Sequence, residues 1–293
     1  MSANLYALGA IALWACLAAL GVALSHVPPF FLTGLALMLG GLLSLPYVLR
    51  DKQQWRVSWP VLGLGVLTLF GFHFFLFIGL RLASAVEVNL VNYLWPLLIV
   101  VLAPLYLPKT PWRARYFIAA LVGFAGAAIA IWSASTGAAT PSTASAAPAP
   151  GSSAWAYVLA LCSALIWANY SLQTKRLAMK GRGFPTAAIG LFGLVSGALS
   201  LVCHAALEPR TALNVSDGML ILAMGLGPLG AAFYWWDKAL KLGDARHIGL
   251  LSYLTPLAST VLLMLVTGRS LTWSIALAAT LIIGAAVAGT RRP

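Results

Sequence analysis

Two short stretches carry residues whose types and spacing suit recognition of a small polar solute. Asn89, Asn92, Tyr93 and Pro96 follow i, i+3, i+4 and i+7 and so share one helical face. At an offset of 160 residues, Gly249, Ser252, Tyr253 and Pro256 repeat that spacing. A proline within a helix removes one backbone hydrogen bond and frees the carbonyl four residues earlier. Pro96 therefore frees Asn92, and Pro256 frees Ser252. In an apolar medium a freed carbonyl must find a partner, so both faces are expected to turn toward a neighbouring helix or a wet cavity. Amide, hydroxyl and carbonyl oxygens gathered there can accept hydrogen bonds from an ammonium group. The competing use is mechanical: Asn and Ser join helices while the prolines shape them.

Aromatic and titratable side chains extend the candidate set. Trp14, Trp95 and Trp167 lie well inside apolar runs, with Asn169 and Tyr170 just after the last. A deep indole offers a flat face for stacking and an N–H that needs an acceptor. The same rings also serve plain helix packing. Trp55, Trp59, Trp112, Trp155 and Trp273 sit at run ends and suit a membrane interface. His73, in GFHFF, is a candidate for binding a solute or a proton, or for joining helices. Glu87 and Arg81 are candidates for an outer gate, or for a mutual pair at the interface. Asp237 and Lys241, spaced i, i+4, suit a solvated ion pair closing a helix, with an inner gate as the alternative. No carboxylate lies at the expected middle of a span, which points to facilitative rather than ion-driven movement.

These residues need a scaffold, and composition names its class. Of 293 residues, 61% are hydrophobic and 8% charged, whereas soluble domains carry about 25% charged residues. Apolar runs of about 20 residues, enough to span a bilayer, recur along the chain. Ten spans are expected: 5–24, 29–49, 60–80, 86–107, 114–134, 154–174, 186–207, 216–237, 247–267 and 271–289. The first lacks a basic leader, since the first basic residue is Arg50, and reads as a membrane helix rather than a signal peptide.

Basic residues alternate between loops. Fifteen of 18 fall on one side: Arg50, Lys52, Arg56, Lys109, Arg113, Arg115, Lys175, Arg176, Lys180, Arg182, Lys238, Lys241, Arg246, Arg291 and Arg292. Arg81, Arg210 and Arg269 occupy the other. That bias places both termini in the cytoplasm, and it accounts for the net charge of +12 without nucleic acid. Residues 135–153, rich in Ser, Ala, Thr and Pro, read as a flexible extracytoplasmic linker.

The halves repeat. Between Leu80–Leu97 and Leu240–Leu257 eight of 18 positions match, with Tyr-Leu-x-Pro-Leu in register, and Trp14 falls opposite Trp167. Five spans per half is an odd number, so residues 1–134 and 154–293 are expected to cross the membrane in opposite senses around a central cavity. The fold expected is an all-α polytopic membrane protein of two inverted five-helix repeats. Gly123, Gly126, Gly284 and Gly289 suit close helix contacts within it.

With ten spans as five plus five, a Trp in the first helix of each half and paired Tyr-Leu-x-Pro-Leu segments, the chain resembles the EamA-type drug/metabolite transporter superfamily. Within it, FFLFIGLRLASAVEVNLVNYLWPLL (Phe74–Leu98) looks like the YddG-type aromatic amino-acid exporters. The resemblance implies export of amino acids, aromatic and other neutral ones, by alternating access in a bacterial inner membrane, without a cofactor. Other metabolites or drug-like solutes are the alternative cargo. No oligomer is required by the sequence; a monomer is compatible with it. An intramembrane enzyme would need a nucleophile with a base, or clustered ligands. His26, His73, His204 and His247 are scattered, Cys16, Cys162 and Cys203 lie in apolar runs, and no metal or catalytic site is expected. A channel would want repeated polar rings, which are missing.

Overall fold

The computed structural model describes residues 2–108, 110–136, 153–266 and 272–290. Residues 137–152 of the expected linker lie outside these, as do Lys109, Arg269, Arg291 and Arg292. The described residues are helical, with no strand among them. Nine helical segments are long and apolar enough to cross a membrane: α1 (Ala3–Ala23), α2 (Pro29–Arg50), α3 (Trp59–Leu82), α4 (Ala85–Tyr106), α5 (Ala114–Ser133), α6 (Ala154–Met179), α7 (Ala188–Leu207), α8 (Val215–Leu242) and α9 (Ala245–Val266). A shorter apolar helix, α10 (Trp273–Thr290), follows.

Local chemistry sets the ends. Pro29 and Pro60 occupy first turns, where a missing N–H costs nothing. Ser84 caps α4 through the Glu87 N–H, and Asn214 with Asp217 forms a capping box on α8. α4 and α9 are each broken just before their repeated proline, at residues 93–94 ahead of Pro96 and 252–253 ahead of Pro256. α4 divides into Ala85–Asn92 and Trp95–Tyr106, and α9 into Ala245–Leu251 and Leu254–Val266. α3 and α8 each contain a π-helical turn, Leu67–Gly71 and Gly227–Ala231, again 160 residues apart.

Packing follows a reciprocal scheme. α2 lies against α7 and α5 against α10, while α1 packs on α8 and α9 just as α6 packs on α3 and α4. At the α2–α7 contact the backbones nearly touch. A Cβ built on Gly41 would stand 2.8 Å from the Gly190 carbonyl, and one on Gly190 would stand 2.6 Å from that of Gly41. Only glycine permits that approach. The largest buried cluster joins α1, α4, α6 and α8, and a smaller one joins α5, α9 and α10.

Candidate functional site

Four tryptophans meet where both halves contribute. Trp14 (α1) lies 5.6 Å from Trp167 (α6) and 5.2 Å from Trp236 (α8) between ring centroids. Trp95 (α4) lies 6.1 Å from Trp167 and 5.6 Å from Trp236. Phe72 and Phe233 reach Trp167 at 5.4 and 5.7 Å, and Tyr170 at 6.1 Å. Tilted and edge-on contacts at these distances are the favourable arrangements for aromatic quadrupoles. Trp14 Nε1 donates to the Pro228 carbonyl at 3.1 Å, inside the π turn of α8. Trp236 Nε1 donates to Ser171 Oγ at 3.3 Å. Trp167, 5% exposed, keeps its indole N–H buried without an acceptor. An orphan buried donor is costly and marks a place where a ligand or water has a bond to offer.

A polar strip runs beside the rings. Asn92, buried one turn before Pro96, has its amide 3.1 Å from Ser163 Oγ on α6, and Ser163 Oγ also lies 3.1 Å from the Phe72 carbonyl. His73 is buried next to Phe72 and Phe77, with Nδ1 2.6 Å from the Leu69 carbonyl in the π turn of α3. A carbonyl can only accept, so Nδ1 carries a proton, and in the neutral ring Nε2 is the acceptor. Asn169 Oδ1 accepts from Tyr106 O–H at 3.0 Å, joining α6 to α4. Asn89 and Tyr93 are half-buried, and the Tyr93 N–H still bonds the Asn89 carbonyl at 2.8 Å.

The structure divides the expected residues. Trp14, Trp95 and Trp167 come together, and the Asn92–Ser163 pair reaches them through Phe72, whose carbonyl meets Ser163 and whose ring meets Trp167. Ser252 and Tyr253 do not join them. The Ser252 hydroxyl bonds the Gly249 carbonyl of its own helix, and its carbonyl accepts the Thr255 N–H at 3.0 Å, so Pro256 leaves little unsatisfied there. Tyr253 is fully buried in the α5–α9–α10 cluster, against Gly123. Trp236, 0% exposed, was not among the expected residues. Its signal was the stripe Phe233, Trp236, Asp237, Leu240 at i, i+3, i+4, i+7, all buried.

Two expected charge arrangements are corrected. Arg81 does not pair with Glu87. Its guanidinium binds Glu208 at 3.1 Å and lies over the Phe30 ring, while exposed Glu87 accepts from Tyr157 O–H at 2.8 Å. Glu208, its side chain 1% exposed, also takes the Phe30 and Phe31 N–H groups at 2.9 and 3.1 Å and His204 Nδ1 at 3.0 Å. It caps α2 from the end of α7. Asp237 and Lys241 do pair, at 2.6 Å, but not in solvent. α8 runs on to Leu242, so Asp237 is 0% exposed, held also by the Thr186 hydroxyl, while Lys241 Nζ donates to the Phe184 carbonyl.

The chain matches the EamA-like transporter family over residues 1–132 and again over 154–289. It is 37% identical over 292 residues to the aromatic amino acid exporter YddG of Ancylobacter novellus, covering 99% of this chain and 97% of that one. It is 30% identical over 194 residues to the YddG of Salmonella typhimurium, 65% of this chain and 62% of the relative. A solved crystal structure, 36% identical, superposes with a TM-score of 0.86 over 98% of this chain and 97% of the other. Two family matches separated by the Ser/Pro-rich stretch, on an all-helical apolar scaffold, lead to one conclusion: the chain belongs to the EamA-like transporter family, and it is a multi-pass membrane transporter rather than an enzyme.

Proposed function

We propose that this transporter exports amino acids, aromatic ones included, across a bacterial inner membrane by facilitative alternating access. The observation that carries the reading is the ring cluster of Trp14, Trp95, Trp167 and Trp236, supplied by both halves, with the Trp167 N–H unpartnered at its centre. Rings from two halves part when the halves rock, and an aromatic or aliphatic side chain takes their place. The Trp167 N–H is available to a carboxylate. Asn92, Asn89, Tyr93 and the carbonyl freed by Pro96 are available to an ammonium. His73, through Nε2, and Asn169 complete the polar lining. The name of the Ancylobacter novellus relative supports the same cargo.

The scaffold we propose is ten spans as two inverted repeats, 1–134 and 154–293, with both termini cytoplasmic and 135–153 outside. Three features support it: reciprocal packing of α1 on α8 and α6 on α3, matched π turns, and matched breaks in α4 and α9. Arg81 with Glu208, and Asp237 with Lys241, serve as latches near opposite ends of the bundle. Glu87 stands at the outer rim. Ser252 and Tyr253 support the α9 break rather than touching cargo. Asp237 is neutralised by Lys241, which agrees with movement down the solute gradient alone.

The test is counterflow in proteoliposomes loaded with unlabelled tryptophan, against labelled Trp, Phe and Leu. Trp167→Phe keeps a ring and loses the N–H, so KM should rise about 3- to 10-fold, a hydrogen bond's worth. Trp167→Ala should lose more. Unchanged KM for every amino acid in both variants refutes the site, ohmic current in place of saturable counterflow refutes the carrier, and strict dependence on a pH gradient refutes facilitative movement.

A further inference from the structure

Away from the tryptophans, one end of the bundle gathers cations around a single ring. Arg115 and Arg246 hold their guanidinium carbons 4.8 and 4.1 Å from the Tyr116 ring centroid. The first belongs to the start of α5 and the second to the start of α9. Arg113 stands exposed one turn away. Asp244 is taken up by Arg246, which grips it at 2.8 and 3.2 Å. Arg113 and Arg115 form no ion pair among the described residues. Arg115 donates through one terminal nitrogen to Tyr116 O–H at 3.3 Å, and its Nε is buried without any acceptor. Two like charges on one ring with an unused, desolvated donor form an arrangement that lacks its anion.

The surroundings say what kind of anion. Arg113, Tyr116 and Arg246 line a crevice whose other walls are apolar, among them Pro104, Trp112 and Phe117. The crevice itself encloses only about 10 Å³, and an open, shallow surface bounded by Pro104, Leu107, Pro108, Thr110 and Pro111 adjoins it, so a ligand here lies on the surface rather than inside it. Trp112 and Phe117 are 61% and 44% exposed at the very start of a membrane helix, where a free inorganic ion has no use for them. Trp at that depth sits at headgroup level, and basic pockets between membrane helices hold lipid phosphates.

We propose that the crevice formed by the start of α5, the end of α4 and the start of α9 is a binding site for the phosphate of an anionic phospholipid. Arg113 and Arg246, one from each half of the chain, meet the phosphate at the mouth of the crevice, and Arg115 adds charge from across the Tyr116 ring. Trp112, Phe117 and Pro104 lie along the acyl chains. The lipid bridges the two halves on one membrane face, so it braces the arrangement in which α5 and α9 touch through Tyr116. This assignment is independent of which solute is carried.

The full chain in detergent, titrated with phosphatidylglycerol, cardiolipin, phosphatidylcholine or inorganic phosphate while thermal unfolding is followed, tests it. Anionic lipid should raise the melting temperature by several degrees, with phosphatidylcholine and phosphate giving less than a third of that. The double variant Arg113→Ala/Arg115→Ala should lose at least half the rise, and Arg50→Ala/Arg56→Ala, also on basic loops, should keep it. Arg113→Lys/Arg115→Lys preserves charge and guards against misfolding; lipid retention read by native mass spectrometry should fall several-fold in it. An equal rise with phosphate makes this a small-anion site and overturns the lipid. An equal loss in the control pair reduces it to diffuse surface charge, and no rise in the parent ends the proposal.

Discussion

Glu208 offers the sharpest quantitative test, because its bonds divide into two kinds of very different worth. Two go to the Phe30 and Phe31 N–H groups at the start of α2, which have no intrahelical acceptor. One goes to Arg81, whose side chain is 41% exposed, and one to His204. Loss of an N-terminal cap costs about 0.5–2 kcal/mol, and a hydrogen bond to a charged group about 1.5–3 kcal/mol. Because these contributions overlap, Glu208→Ala should cost on the order of 3 kcal/mol. Arg81 can turn to water, and an exposed ion pair is worth about 0–1 kcal/mol, so Arg81→Ala should cost less than that. At roughly 2–4 °C per kcal/mol for a chain of this size, the first variant should melt about 6–12 °C lower and the second no more than about 4 °C lower. Glu208→Gln, which keeps one acceptor oxygen, should fall between them. Purified variants in one detergent, melted with intrinsic tryptophan fluorescence, supply the comparison. Equal losses for Arg81→Ala and Glu208→Ala would mean that the ion pair, not the cap, governs this corner, and the reasoning would be refuted.

Other expectations follow from the same structure. Asp237→Ala strands the Lys241 ammonium in an apolar site and should cost about 3–5 kcal/mol, whereas Asp237→Leu/Lys241→Met should recover most of it; a double variant as unstable as the single one counts against a buried pair. Gly190→Ala drives a methyl to within 2.6 Å of the Gly41 carbonyl and should destabilise by about 1–3 kcal/mol, while Gly284→Ala meets open space within its helix and should gain up to about 1 kcal/mol. Matching melting shifts in these two variants would contradict the close α2–α7 approach. Burial pushes the Asp244 carboxyl up, but the hydrogen bonds and charge of Arg246 outweigh it and hold it below the usual carboxylate range. A lowered folded pKa stabilises above the unfolded value of about 4, and the benefit goes as pH falls through the lower folded value. The margin of the parent over Asp244→Asn should therefore be flat above about pH 5 and shrink below about pH 4; a margin that widens on acidification has the wrong sign.

Much of the architecture was legible because its signals are local and strong. Length and apolarity name membrane helices directly, and Pro96 and Pro256 announce the breaks within the turn that precedes them. Trp14 and Trp167 could be paired because the repeat aligns them. What escaped depends on contacts between distant residues. Nothing local ties Glu208 to Arg81, 127 residues away, so spacing alone offers only nearby Glu87 when a partner for Arg81 is sought. The i, i+4 spacing of Asp237 and Lys241 gives the pair but not its surroundings, which depend on how far α8 continues. Trp236 hid near a helix end whose true limit lies at Leu242. Tyr253 repeats Tyr93 in sequence, yet Gly123 opens a slot that draws its ring into the α5–α10 contact.

The π turns of α3 and α8 have a geometric meaning of their own. Each houses a surplus residue, and in a regular helix one residue is worth about 100° of rotation. Phe72 and Phe233, the side chains these helices deliver to Trp167, come immediately or almost immediately after that surplus. The bulges thus act as phase shifters: they leave the upper portion of each rod docked on one neighbour while aiming the lower portion at another. Deleting a single residue from Leu67–Gly71 would shorten the rod by only about 1.5 Å, yet swing everything beyond it a quarter-turn or more, carrying Phe72 and His73 off their targets together.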